Sequence, residues 1–166
     1  HNLLNATACI AAARSLGIKT ADIARGLSTF SGVKRRQEIR GQVSGITVMD
    51  DFAHHPTAVR ETIAAVKPFY PQGRLVAVFE PRTNTSMRNI FQATYPACFD
   101  QADLTCICSP GVKKNIAEQE RFSPERLAED ICKRGRAARH FHDPGQVIDF
   151  LALALKPKDL VLVMSN

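Results

Sequence analysis

Four strand-like runs recur along the chain after residue 70, each separated from the next by a stretch with helical periodicity. They are "RLVAVFEP" (74–81), "ADLTCICSP" (102–110), "ARHFHD" (138–143) and "DLVLVMSN" (159–166). Between them lie "SMRNIFQATYPACFDQ", "SPERLAEDICKRG", with Ser123 at the capping position, and "PGQVIDFLALALK". Strands that alternate with helices cannot pair as hairpins; they form a parallel sheet with helices on both faces. The near-continuous apolar character of "LVAVF" and "LVLVM" suits strands buried on both sides.

Upstream, "RQEIRGQV" and "ITVMDDF" flank Ser44-Gly45, a two-residue connection that reads as a hairpin and adds an antiparallel edge. A helix with Pro56 in its first turn follows. Ahead of the hairpin, "LLNATACIAAARSLG" reads as a helix ending on Gly17, and "TADIARGLSTF" as a second helix with Thr20 as its N-cap. The expected fold class is α/β: a Rossmann-like, mostly parallel sheet with helices on both faces and an antiparallel edge hairpin, preceded by a short helical remnant. A domain boundary is placed near residues 31–36, giving segments 1–32 and 33–166. The chain opens inside a helical pattern and without Met, so it is expected to be a piece of something longer.

The charge balance narrows the partners. Of 166 residues, 22 are Lys or Arg against 16 Asp or Glu. The densest basic run, "VKRRQEIR", is interrupted by Gln37 and Glu38, and aromatic–basic interleaving of the base-stacking kind is absent. A small anionic molecule is therefore expected, not nucleic acid. No apolar stretch approaches the ~20 residues of a membrane span, so no membrane partner is expected. The five cysteines include no C-x-x-C pair; three lie inside apolar segments, and the reading is reduced core thiols in a cytoplasmic protein.

In an open parallel sheet, ligands bind beyond the carboxyl ends of the strands. Three connections qualify: "DDFAHHPT", "EPRTNTSM" and "SPGVKKN". The first packs Asp50, Asp51, His54, His55 and Pro56 into seven residues, denser than loop composition explains. In the second, Arg82 stands beside hydroxyls and an amide, suiting a carboxylate or phosphate; Ser86 or Thr85 is expected to cap the helix that follows. Lys113 and Lys114 in the third are read as solvated. His140-x-His142 places two imidazoles on one face of a short strand, but no further ligand has recognisable spacing, and the pair is read as structural. Neither G-x-x-x-x-G-K-[ST] nor G-x-G-x-x-G occurs, so the phosphate loop and the dinucleotide fingerprint are both missing.

"HNLLNA", "FSGVKRRQE" and "DDFAHHPTA", in this order and at these separations, resemble the Mur ligases of bacterial cell-wall synthesis. The resemblance covers essentially the whole chain. It implies the last helices of a central ATPase domain (1–32) followed by a C-terminal Rossmann-like domain (33–166). It also implies ATP and Mg2+ as cofactors, with the phosphate loop and main magnesium ligands outside this chain. The implied reaction phosphorylates the carboxylate of UDP-N-acetylmuramate; an amine then attacks the acyl phosphate and an amide forms.

Carried over residue by residue, Asn2 and Asn5 match the family's asparagines, with Asn5 as adenine reader. Arg36 matches the arginine that approaches the nucleotide, and Asp51 the acid on the ribose hydroxyls. Phe52 and His54 match positions facing the incoming amine, while His55 and Pro56 shape the turn. Arg82, Asn84 and Thr85 are the expected peptide contacts. "EPRTNT" resembles the branch that joins UDP-N-acetylmuramate to L-alanyl-γ-D-glutamyl-meso-diaminopimelate in peptidoglycan recycling, and departs from the more Arg-rich alanine-adding pattern. The alternatives are the alanine-adding ligase and a free-standing nucleotide- or peptide-binding module. Without the phosphate loop, the chain alone is expected neither to catalyse ligation nor to hold ATP well, and no catalytic residue is assigned within it.

Overall fold

The computed structural model describes residues 2–111 and 116–165, and of Asn2 the backbone alone. Lys113 and Lys114 lie outside the described residues. The chain separates into two compact units, residues 1–34 and 35–166.

The first unit holds α1 (Asn2–Ser15) and α2 (Thr20–Ser28). α1 closes as expected at Gly17: the Gly17 N–H returns to the Arg14 carbonyl at 3.0 Å and the Ile18 N–H to the Ala13 carbonyl at 3.1 Å. Thr20 does not cap α2. The Lys19 carbonyl already accepts from the N–H groups of Asp22 and Ile23, so Lys19 occupies the capping position and Thr20 is the first helical residue, with no side-chain cap bond.

In the second unit six strands form one sheet: β1 (Glu38–Val43), β2 (Ile46–Asp51), β3 (Leu75–Glu80), β4 (Leu104–Cys108), β5 (Ala137–Phe141) and β6 (Leu160–Ser165). Their order is β1-β2-β6-β3-β4-β5, and only the β1–β2 pair is antiparallel. The hairpin turns through Ser44 and Gly45 at φ +51° and +76°. Positive φ at both central residues matches the right-handed twist of the flanking strands and favours Gly in the tighter place. Gly73 meets a different demand: a Cβ there would lie 1.7 Å from the Lys158 carbonyl oxygen. The connection into β3 therefore passes against the connection into β6 at a distance only a bare backbone allows.

Helices α3 (Pro56–Val66), α4 (Tyr95–Cys98) and α5 (Pro124–Lys133) cover one face, and α6 (Pro144–Ala154) the other. The first face buries Phe79, Tyr95, Phe99, Leu127 and Leu162, all fully inaccessible. The second buries Val76, Cys106, Cys108, Val147 and Leu151. Cys106 and Cys108 share that face, as the strand period requires; burial pushes their thiols up to about 12 and about 11. Ser123 caps α5 as expected, accepting from the Arg126 N–H at 3.1 Å.

The stretch after β3 differs from expectation. It is broken into turns, a 3-10 turn at Asn89–Phe91 and the single turn of α4. Long-range bonds compete with a continuous helix: the Gln92 amide donates to the Ser123 carbonyl and accepts its N–H, while the Phe122 N–H donates to the Met87 carbonyl. Among the described residues no helix is long and apolar enough to cross a membrane.

Candidate functional site

β2, β6 and β3 end side by side, with Asp51 opposite Met164 and Glu80 opposite Ser165. The turn after β2 and the loop after β3 thus leave the same edge of the sheet, rooted two strand spacings apart, about 10 Å.

Asp51 organises the first turn. Its Oδ2 accepts the Gln37 N–H at 2.9 Å and its Oδ1 the Ala53 N–H at 2.8 Å, with the Thr62 hydroxyl 3.4 Å away. Only 2% of the residue is accessible. In this conformation the carboxylate locks the turn to the chain entering β1. Its neighbour Asp50 is the accessible acid, 3.4 Å from the Arg35 guanidinium.

Arg35 is the residue that sequence reasoning passed over. Its carbonyl accepts the Phe52 N–H at 2.8 Å, and its guanidinium donates to the Ser165 carbonyl. The same guanidinium stands 5.2 Å from the Phe52 ring centroid, and that of Arg36 stands 5.6 Å away. Phe52 is thus attended by two cations, a geometry in which the ring quadrupole stabilises positive charge. The signal in the sequence was the basic cluster itself, "VKRRQ", of which only Arg36 had been singled out.

His54 is half-buried, its ring edge-on to Phe52 at 5.4 Å. Nδ1 lies 2.9 Å from the Phe52 carbonyl oxygen. A carbonyl only accepts, so Nδ1 carries a hydrogen and Nε2 of the neutral ring is the free acceptor. The His54 carbonyl in turn accepts the hydroxyl of Tyr95 at 2.5 Å. His55 is exposed and packs edge-on against Phe91 at 4.7 Å, and Pro56 opens α3; both shape the turn.

In the second loop no helix follows for Ser86 or Thr85 to cap; Thr83 and Ser86 close a turn instead. The Thr83 hydroxyl accepts the Ser86 N–H at 3.2 Å, the Ser86 hydroxyl accepts the Thr83 N–H at 3.1 Å, and the two oxygens are 2.7 Å apart. Ser86 is buried, and this reciprocal pair ties the loop to itself at its base. Arg82, Asn84 and Thr85 are exposed on it. Arg82 Nε is 3.8 Å from Glu80, whose other oxygen accepts the Ser165 hydroxyl at 3.1 Å.

The structure therefore brings Phe52, His54, Arg36 and Arg82 to one edge of the second unit, together with Arg35, Asp50 and Glu80. Asn5 belongs to α1 in the first unit, and the side chain of Asn2 is outside the described residues. An edge that combines two guanidinium groups over an aromatic ring, an accessible acid, an imidazole acceptor and a tethered arginine can receive polyanionic and carboxylate groups.

A family model described as "Mur ligase, glutamate ligase domain" matches residues 35–166. The UDP-N-acetylmuramate–L-alanine ligase of Geobacter sulfurreducens is 42% identical over 168 aligned positions, which cover 99% of this chain and 35% of that protein. The murein peptide ligase of Psychrobacter arcticus superposes with a TM-score of 0.74 at 31% identity, over 99% of this chain and 34% of that one. A Mur ligase of Thermotoga maritima solved with ADP shares the fold at TM-score 0.68 and 22% identity, over 99% of this chain and 34% of that one. The chain spans about a third of the length of the relatives it matches.

Proposed function

The chain belongs to the Mur ligase family, with residues 35–166 its C-terminal domain, and on that premise we propose that it serves an ATP-dependent amide ligase by presenting the nucleotide and the incoming amine at the β2–β6–β3 edge. The observation that carries this reading is the turn 51–55, held by Asp51 and Tyr95 so that Phe52 and His54 stand at one strand end while Arg82 stands on the bonded turn two strands along.

Within the second unit the nucleotide is assigned to Arg36 and Arg35; for Asn2 and Asn5 of the first unit, adenine contact is what the resemblance implies. The ribose contact expected of Asp51 passes to Asp50 in this conformation, because Asp51 is closed off by two backbone donors. Phe52, His54, Arg82, Asn84 and Thr85 are assigned to the amine substrate, with Arg82 facing a substrate carboxylate. The magnesium that the resemblance implies does not fit the carboxylates at this edge. Asp51 is locked, Asp50 is paired with Arg35 and Glu80 with Arg82, and among the described residues no group of acids converges there. Metal coordination and phosphate cradling are assigned to the rest of the parent protein, and the chain alone is expected not to turn over.

For the amine, we favour L-alanyl-γ-D-glutamyl-meso-diaminopimelate, as in peptidoglycan recycling in the cytoplasm. The supports are the "EPRTNT" loop and the likeness to a murein peptide ligase at 31% identity. The second reading, L-alanine addition, is favoured by the 42% identical relative of that name. Coupled phosphate release by the full-length parent, with UDP-N-acetylmuramate, ATP and either amine, separates them. Turnover with the tripeptide alone supports the first reading, and turnover with L-alanine alone overturns it. Turnover with neither overturns both amine assignments.

A further inference from the structure

His140 and His142 stand at the carboxyl end of β5, two strands beyond β3 along the same edge of the sheet. The sequence offered them no third ligand. The fold does: Glu125, in the first turn of α5, brings a carboxylate to them, so that one ligand atom from each of the three residues lies within 4.8 Å of the others. We propose that Glu125, His140 and His142 form a binding site for a borderline divalent transition metal, with Zn2+ as the reference ion and solvent completing the coordination.

The donor set is the first argument. Two imidazoles and one carboxylate match the preferences of Zn2+ and its neighbours, and disfavour Mg2+ or Ca2+, which take oxygen ligands. Geometry is the second. Ligand atoms ~2.0–2.1 Å from a tetrahedral ion are about 3.4 Å apart, and His140 Nδ1 and Glu125 Oε1 are already 3.4 Å apart. The His142 ring stands 4.8 Å from that of His140, edge to face; His142 is exposed, so a rotation of its side chain closes the remaining distance.

The third argument is orientation from outside the ligand set. Ser109, at the end of β4, is held by its N–H to the Phe141 carbonyl at 2.9 Å. Its hydroxyl lies 2.7 Å from His140 Nε2. With the Nε2 hydrogen donated to Ser109, Nδ1 turns its lone pair toward the Glu125 carboxylate. Two acceptors then face each other at 3.4 Å, and a cation between them removes the repulsion. An outer partner that fixes ring orientation in this way is the usual companion of a metal-binding imidazole.

The test is calorimetric titration of the untagged 166-residue chain with ZnCl2. Because Cys9 and Cys132 are exposed thiols, both are replaced by Ser in every variant. One saturable Zn2+ per chain is expected, weakened at least about tenfold by His142→Ala and by Glu125→Gln, and less by Ser109→Ala. His142 and Glu125 are exposed, so neither change threatens the fold. Co2+ in place of Zn2+ should give a visible absorption band that both ligand variants lose. No saturable binding, or equal binding in parent and His142→Ala, overturns the site; the cluster is then closed by protons, with Ser109 donating to Nε2 and Nδ1–H to Glu125.

Discussion

The hydroxyl of Tyr95 donates to the backbone carbonyl of His54 at 2.5 Å, across 41 residues of sequence. Tyr95 is wholly buried among Phe79, Phe91 and Phe122, and desolvation raises its pKa far above the ordinary phenol range. The phenol stays a donor at any working pH. A core residue thereby sets the position of the turn that displays Phe52 and His54. Tyr95→Phe should keep the ring packing and leave the His54 carbonyl unsatisfied, at a cost of about 1–2 kcal/mol. Urea unfolding of parent and variant measures it; an unchanged midpoint would show that the bond does not hold the turn.

The two adjacent acids should behave oppositely. Asp51→Asn turns an amide NH2 toward one of two backbone N–H donors and should destabilise the chain by about 1–3 kcal/mol. Asp50→Asn loses only a solvent-screened pair with Arg35, whose side chain is 42% exposed, and should cost under about 1 kcal/mol. In the full-length parent, the second change should instead raise the KM for ATP. The reverse order of effects would return the ribose contact to Asp51.

Acid should find Asp159. Its side chain is 2% exposed. Burial alone would raise its pKa, but the bonds from the Arg74 side chain, the Lys156 N–H and the Arg74 N–H outweigh it, and the net direction is down. A folded-state pKa below the unfolded value contributes stability above about pH 4 that is lost as pH falls through the folded value. Asp159→Asn should therefore cost about 3 kcal/mol at pH 7. The gap from the parent should hold constant down to about pH 5 and shrink below about pH 4. A gap that shrinks between pH 8 and 6 would point to another group.

Arg82→Ala in the full-length parent should raise the KM for the amine substrate about tenfold or more, the scale of one charge-assisted bond, with a smaller change in kcat. Steady-state kinetics with saturating ATP measures both constants. An unaltered KM would take Arg82 out of the substrate site.

Much of the fold was legible because its causes are local. The β/α alternation dictated a parallel sheet, Ser44-Gly45 the hairpin, Ser123 the start of α5, and Gly17 the end of α1. The errors were also instructive. Thr20 has capping chemistry, yet Lys19 holds the place by one residue. Residues 86–101 have helical composition, yet Gln92 and Met87 bond across to Ser123 and Phe122, and only a 3-10 turn and the single turn of α4 form.

The candidate site divides in the same way. Sequence by itself determined which residue types stand at the strand ends, because strand length and turn chemistry act within a few residues of one another. Tertiary structure alone decided what each can do. Asp51 is closed off because Gln37, fourteen positions earlier, donates to it, and Asp50 is left accessible beside Arg35. Glu125 reaches His140 only because α5 packs beside β5. Whether a charge faces solvent or a buried donor depends on contacts between distant segments, and those exist only once the sheet has assembled.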